Sequence, residues 1–217
     1  MPQEADQPRL PGRRAQAARN DRVILDAARE VFLADPKAPI AAVAERAGVG
    51  ISALYRRYPG KEDLLRRLCH DGLRRFLAEA EAAAADEDGF AALAGFLERV
   101  VGADVHALTV HLAGTFTPTP EMRADGRRSG ELAAGLVRRA HESGGLRADV
   151  GVGDLELALE GCSAIRTADA GRTAVLRRRH LALLLRGMRA DTPWTPLPGP
   201  APEPGEVGGH RWRPPAG

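Results

Sequence analysis

The stretch from Ile40 to Tyr58 constrains this chain more than any other. Ile40, Val43, Ala44 and Ala47 recur at the i, i+3, i+4, i+7 spacing of one helical face. Pro39 suits the first turn of such a helix, and Gly48 stops it. A second short helix follows from about Ile51 to Tyr58, closed by Pro59-Gly60. Val43, Ala47, Val49 and Leu54 line a common interior only if these helices cross steeply. Ala44 must then be small enough for close approach, and Gly48 supplies the positive φ of the tight turn. The segment reads as a helix-turn-helix.

Its surroundings are helical too. The 217 residues are 44% hydrophobic, enough for one or two cores. Aromatics make up only 4%, β-branched runs are scarce, and Ala and Leu carry the apolar content, so the predicted fold class is all-α with essentially no strand. Asn20 can cap a first helix that turns Ile24, Ala27, Ala28 and Val31 inward and ends near Ala34, before Asp35-Pro36. A fourth helix starts near Lys61 and carries Leu65, Leu68, Cys69, Gly72 and Phe76 inward, with a break expected between Glu81 and Gly89. Further helical stretches are predicted at about 90–101, 104–115, 121–143, 153–168 and 173–189.

The run Ala47-Gly48-Val49-Gly50-Ile51-Ser52-Ala53-Leu54-Tyr55-Arg56-Arg57-Tyr58-Pro59-Gly60-Lys61-Glu62-Asp63-Leu64 resembles the signature of the TetR family of regulators. With the first and fourth helices included, the resemblance covers about Asn20 to Phe76. It implies a three-helix DNA-binding domain over 20–62, joined through helix 4 to a helical ligand-binding and dimerisation domain over 63–190. It also implies that Tyr55 and Lys61 grip phosphates, and that the start of the third helix, at Gly50, Ile51, Ser52 and Ala53, faces base edges in the major groove. Two positions depart from the family pattern. Gly50 stands where a helix-capping serine is common, and Arg57-Tyr58 replaces a frequent His-Phe pair, adding a fixed charge.

The residue chemistry supports those roles independently. Tyr55, Arg56, Arg57 and Lys61 put one phenol and three cations within seven positions, and phosphate oxygens accept bonds from such donors. Either arginine can instead reach a guanine. Ile51, Ser52 and Ala53 are small enough to let the helix sit deep in a groove. The net charge is only +2, but residues 1–61 hold a +4 excess and the remainder −2, so the basic end is the helix-turn-helix end. Residues 1–19 are expected to form a flexible basic arm whose Arg13, Arg14 and Arg19 can follow the DNA backbone. Residues 191–217, with eight prolines, are expected to be a disordered tail.

Other chemistries fit poorly. Gly48-Val49-Gly50-Ile51-Ser52-Ala53 satisfies a loose dinucleotide-binding fingerprint, but a helical stripe precedes it where a buried strand is required. His106 and His111 are five apart, which places them on different helical faces. Ser143, beside His141 and Glu142, reads better as the end of a helix closed by Gly144-Gly145 than as a nucleophile. Cys69 and Cys162 have no framework spacing and read as buried thiols. No enzyme activity, cofactor or metal site is expected.

The partners expected are double-stranded DNA, a second copy of the chain and an unknown small-molecule effector, in a cytoplasmic protein with no membrane span. The dimer is assigned to the stretches 154–165 and 173–188, which carry Leu155, Leu159, Cys162, Ile165, Leu176, Leu183, Leu184 and Met188. The effector pocket is assigned to His106, Thr109, Phe116, Met122 and Cys162. The function expected is that of a repressor released from a palindromic operator by its effector. The competing reading is a helical module that docks another protein without sequence-specific DNA binding.

Overall fold

The computed structural model describes residues 11–104, 112, 115–191, 195–203 and 206–209, with side chains described from residue 19 to 207 within those ranges. The chain divides into two compact units, Met1–Leu64 and Leu65–Gly217.

In the first unit, α1 (Pro11–Ala34) packs on α2 (Ile40–Ala47), which packs on α3 (Ile51–Arg57). Ala28, Phe32, Val43 and Leu54 are fully buried, with Ile24, Ala27, Ile40 and Ala44 beside them. The turn between α2 and α3 is built as the residue types require. Gly48 has φ +65°, its N–H donates to Glu45 O, and the Val49 N–H donates back to Ala44 O, the paired bonds of a glycine-terminated helix. Val49 and Ala47 are half-buried rather than central, and Ala44 is 4% exposed.

Helix α1 corrects one expectation. It begins at Pro11, well ahead of Asn20, so residues 11–19 are helical and do not form a flexible arm. The segment lacks apolar periodicity, but its Ala, Arg and Gln residues are strong helix formers, and proline is suited to a first helical turn.

The second unit continues along α4 (Lys61–Ala83) and is completed by α5 (Gly89–Gly102), α6 (Pro120–Glu142), α7 (Val152–Ala164) and α8 (Ala170–Met188). Of the predicted 104–115 stretch, residues 105–111, 113 and 114 lie outside the described residues. Three of these helices start on side-chain caps: Asp88 accepts from the Ala91 N–H, Thr119 from Met122 and Asp169 from Arg172. The core gathers Leu93, Phe96 and Leu97 of α5 with Leu136 of α6, Leu155 and Leu159 of α7, and Leu181 of α8. Phe76 of α4 meets Phe96 edge to face at 5.0 Å. Among the described residues, the nearest approach to a sheet is a single antiparallel bridge between Leu146 and Arg189.

The C-terminal tail also differs from expectation. Its described residues are docked and do not form a disordered segment. Arg147, only 7% exposed, pairs with Asp149 through two bonds of 2.8 and 2.9 Å and donates to Thr195 O at 2.9 Å. The Leu197 N–H donates to the same Asp149 carboxylate at 2.9 Å. Farther along, Pro202 lies against α7 at Gly153, where a Cβ would fall 1.9 Å from the Pro202 oxygen, so only glycine leaves room for the tail. A last turn, α9 (Glu206–Gly209), packs on α7. The segment's order comes from main-chain groups caught by a buried ion pair, which low apolar content does not preclude.

Candidate nucleic-acid interface

Helix α3 is the feature from which the site is built. It has seven residues, and only Leu54 is buried. A helix held by one apolar residue and its two ends turns its remaining surface outward: Ile51, Ser52, Ala53, Tyr55, Arg56 and Arg57 are all exposed, as is Gly50 at its N-cap. Ile51 is 40% exposed and Tyr55 47%, which puts an apolar side chain and a phenol on the outward face. Gly50 caps α3 in extended geometry but contributes no side-chain bond, as its lack of a hydroxyl requires.

The cations are not equivalent. Arg56 projects from α3 into solvent. Arg57 instead reaches α1, where its Nε donates to Asp21 Oδ1 at 2.6 Å and its Nη2 pairs with the other carboxylate oxygen. Hydrogen bonding and charge from Asp21 push the Arg57 pKa up, and the Tyr58 hydroxyl donates to the same carboxylate at 3.3 Å. Arg57 therefore ties α3 to α1, with much of its charge answered within the domain.

Lys61 also turns inward. Its Nζ donates to Pro36 O at 2.8 Å and Ala38 O at 2.7 Å, and it lies 5.0 Å from the centre of the Phe32 ring. Burial pushes its pKa down, partly offset by the charge of Asp35. Two of its three donors thus staple the start of α4 to the connection between α1 and α2. Sequence reasoning grouped Lys61 with Tyr55, Arg56 and Arg57 by proximity along the chain and missed Asp21, whose partner is 36 positions away.

The residues assigned to the dimer separate on inspection. Leu155, Leu159, Cys162 and Met188 belong to the unit's own core, and Ile165, Leu176 and Leu184 are half-buried. Leu183 is 63% exposed, however, and it is joined by Leu157 at 52% and Val175 at 44%, two positions missed in the sequence. All three lie on α7 and α8.

The residues assigned to the effector lie in different settings. His106 and Thr109 lie outside the described residues. Met122 is buried, Phe116 is half-buried, and neither lines the small cavity of about 10 Å³ that Cys162 borders with Val100, Val101, Asp104, Leu159, Ser163 and Arg177. That volume is room for about one water. Arg177, 7% exposed, donates there to Asp104 and to the carbonyls of Ile165 and Ser163. Both cysteines are free and buried, and burial drives the Cys69 thiol up to about 12 and raises that of Cys162, which leaves them unreactive.

Comparison with known proteins accounts for both units. Residues 24–68 match the family of bacterial regulatory proteins of the tetR type, and residues 88–190 match the C-terminal domain of SbtR-like transcriptional regulators. The sequence matches none of the curated proteins. Among solved structures, a TetR regulatory protein from Mycobacterium vanbaalenii is 26% identical, with 81% of this chain and 98% of that chain covered and a TM-score of 0.54. The TetR family protein CprB from Streptomyces coelicolor A3(2) shares the fold at 21% identity, covering 82% of this chain and 92% of that one, with a TM-score of 0.60. LfrR from Mycobacterium smegmatis, solved in complex with proflavine, does so at 23% identity, 77% and 96% coverage and a TM-score of 0.51. With an exposed α3 on a helix-turn-helix and a second unit that is helical throughout its core, the chain belongs to the TetR family of transcription regulators, DNA-binding proteins that are not enzymes.

Proposed function

We propose that this protein is a cytoplasmic repressor that binds a palindromic operator as a homodimer and is released by a small-molecule effector. The observation that carries the reading is the exposure of every α3 residue except Leu54. In this reading Ile51, Ser52 and Ala53, led by Gly50, enter the major groove, while Tyr55 and Arg56 hold phosphates on either side. Arg57 orients α3 through Asp21. Lys61 adds its third N–H to a phosphate while the other two hold Pro36 and Ala38.

The exposed Leu157, Val175 and Leu183 support pairing through α7 and α8, because two copies would cover one another's apolar side chains. Two-fold symmetry then requires two half-sites, which makes the operator a palindrome. The effector part draws support from LfrR, which holds proflavine. An effector that prefers the conformation with misplaced α3 helices weakens DNA binding by its differential affinity for that state.

Selection of bound DNA from a random library tests the reading. The expected product is an inverted repeat bound with a steep salt dependence, and Arg56→Ala should flatten that dependence by roughly one phosphate contact. Recovery of no preferred sequence, or of a single unrepeated site, overturns it.

A further inference from the structure

His70, Glu121 and Asp125 come together in the second unit, outside every site described above. Their ligand atoms, one imidazole nitrogen and two carboxylate oxygens, all lie within 4.8 Å of one another. The helices hold them in place. Glu121 and Asp125 are one turn apart at the start of α6, an i, i+4 spacing that sets both carboxylates on one face, and His70 reaches them from α4. The His70 ring is 13% exposed and its Nε2 is 2.8 Å from Asp125 Oδ2.

We propose that His70, Glu121 and Asp125 form a binding site for a divalent transition-metal ion, with water completing its coordination. Imidazole and carboxylate ligands bind zinc-like ions at about 2.0–2.2 Å, so two ligand atoms on one ion stand roughly 3 Å apart. The imidazole and Asp125 already have that separation. Glu121, with a side chain 64% exposed, has a carboxylate oxygen within 4.8 Å of both. One nitrogen with two carboxylate oxygens suits Zn²⁺, Co²⁺ or Mn²⁺, whereas calcium and magnesium favour oxygen alone. The ion would join α4 to α6 by coordinate bonds where a hydrogen bond now joins them.

One competitor is present. Arg74 Nη2 lies 2.7 Å from Glu121 Oε1 and neutralises one of the two carboxylates. A metal site and a simple network of ion pairs respond oppositely to its removal. Arg74→Gln frees Glu121 for an ion and should tighten metal binding several-fold, but it would merely weaken a network of pairs.

The test is calorimetric titration of Zn²⁺ and Co²⁺ into the full-length protein after chelator treatment, with the visible absorption of Co²⁺ as a second readout. One ion per chain is expected. His70→Ala and Asp125→Asn should each weaken binding about tenfold or more. Cys69→Ser should leave it unchanged, since that thiol is buried and is not one of the three ligands. Asp125→Asn is nearly isosteric and keeps the test open if His70→Ala fails to fold. Absence of saturable binding in the unaltered protein overturns the proposal, as does binding that survives both ligand substitutions, is lost in Cys69→Ser, or weakens in Arg74→Gln.

Discussion

Replacing Lys61 with methionine keeps the aliphatic stem over Phe32 and removes only the ammonium group. Two charge-assisted bonds, of 2.7 and 2.8 Å, are lost from Ala38 O and Pro36 O. Bonds to charged groups contribute about 1.5–3 kcal/mol when sheltered, but a half-exposed ammonium leaves carbonyls that water can reach, so each is worth nearer 1 kcal/mol. Loss of the cation over the ring adds about 0.5 kcal/mol, for a destabilisation of about 2.5 kcal/mol. Urea unfolding followed by circular dichroism reads this as a lower midpoint at unchanged slope. A separate effect should appear on DNA, where the logarithm of affinity against that of salt should lose about one unit of slope, equally on operator and random sequence. Stability unchanged to within a few tenths of a kcal/mol would refute the staple. An unchanged salt slope would remove Lys61 from the DNA interface.

Tyr55→Phe should weaken operator and non-specific binding by the same factor, roughly three- to tenfold, because a phosphate bond carries no sequence information; a changed base preference in titrations would contradict this. Leu183→Glu should give a folded monomer that binds half-sites independently, since burying an unpaired carboxylate costs several kcal/mol, and sedimentation showing a dimer would place the interface elsewhere. Asp149 is held at about 2, first by its bonds with Arg147 and then by the Leu197 N–H, below its ordinary 3.8. The depressed value means that its contribution to tail docking is complete above about pH 4 and is lost as pH falls through 2. Pepsin should therefore clip the tail increasingly between pH 4 and 2, and Asp149→Asn should remove that pH dependence. A tail equally resistant throughout the range would show that another contact holds it.

The parts legible in the sequence were those whose cause is local. The crossing of α2 and α3 follows from spacings of three and four residues and one left-handed glycine, so Val43, Ala44, Gly48 and Leu54 took the places expected of them. Helix ends fell close to their proline, glycine and capping signals. What escaped depended on partners far apart in the chain or on main-chain atoms, which no periodicity encodes. Arg57 and Asp21 are 36 positions apart, and His70 and Asp125 are 55. The sequence could mark Leu155 and Leu183 as equally apolar but not as core and surface, because that distinction needs the rotation of α7 and α8 against α5. The helical start of α1 escaped for a different reason, since propensity without amphipathicity leaves no stripe to read.

The docked tail has a consequence for how this chain can change over evolution. The groups caught at its near end are the Thr195 carbonyl and the Leu197 amide, which every residue type except proline at 197 supplies. The side chains there are consequently free to drift, but the count of residues is not. A shift of the register by one toward the C-terminus would present the amide of what is now Pro196 to Asp149, and proline has no N–H to give. Close relatives of this protein should vary in identity across this stretch while conserving its length.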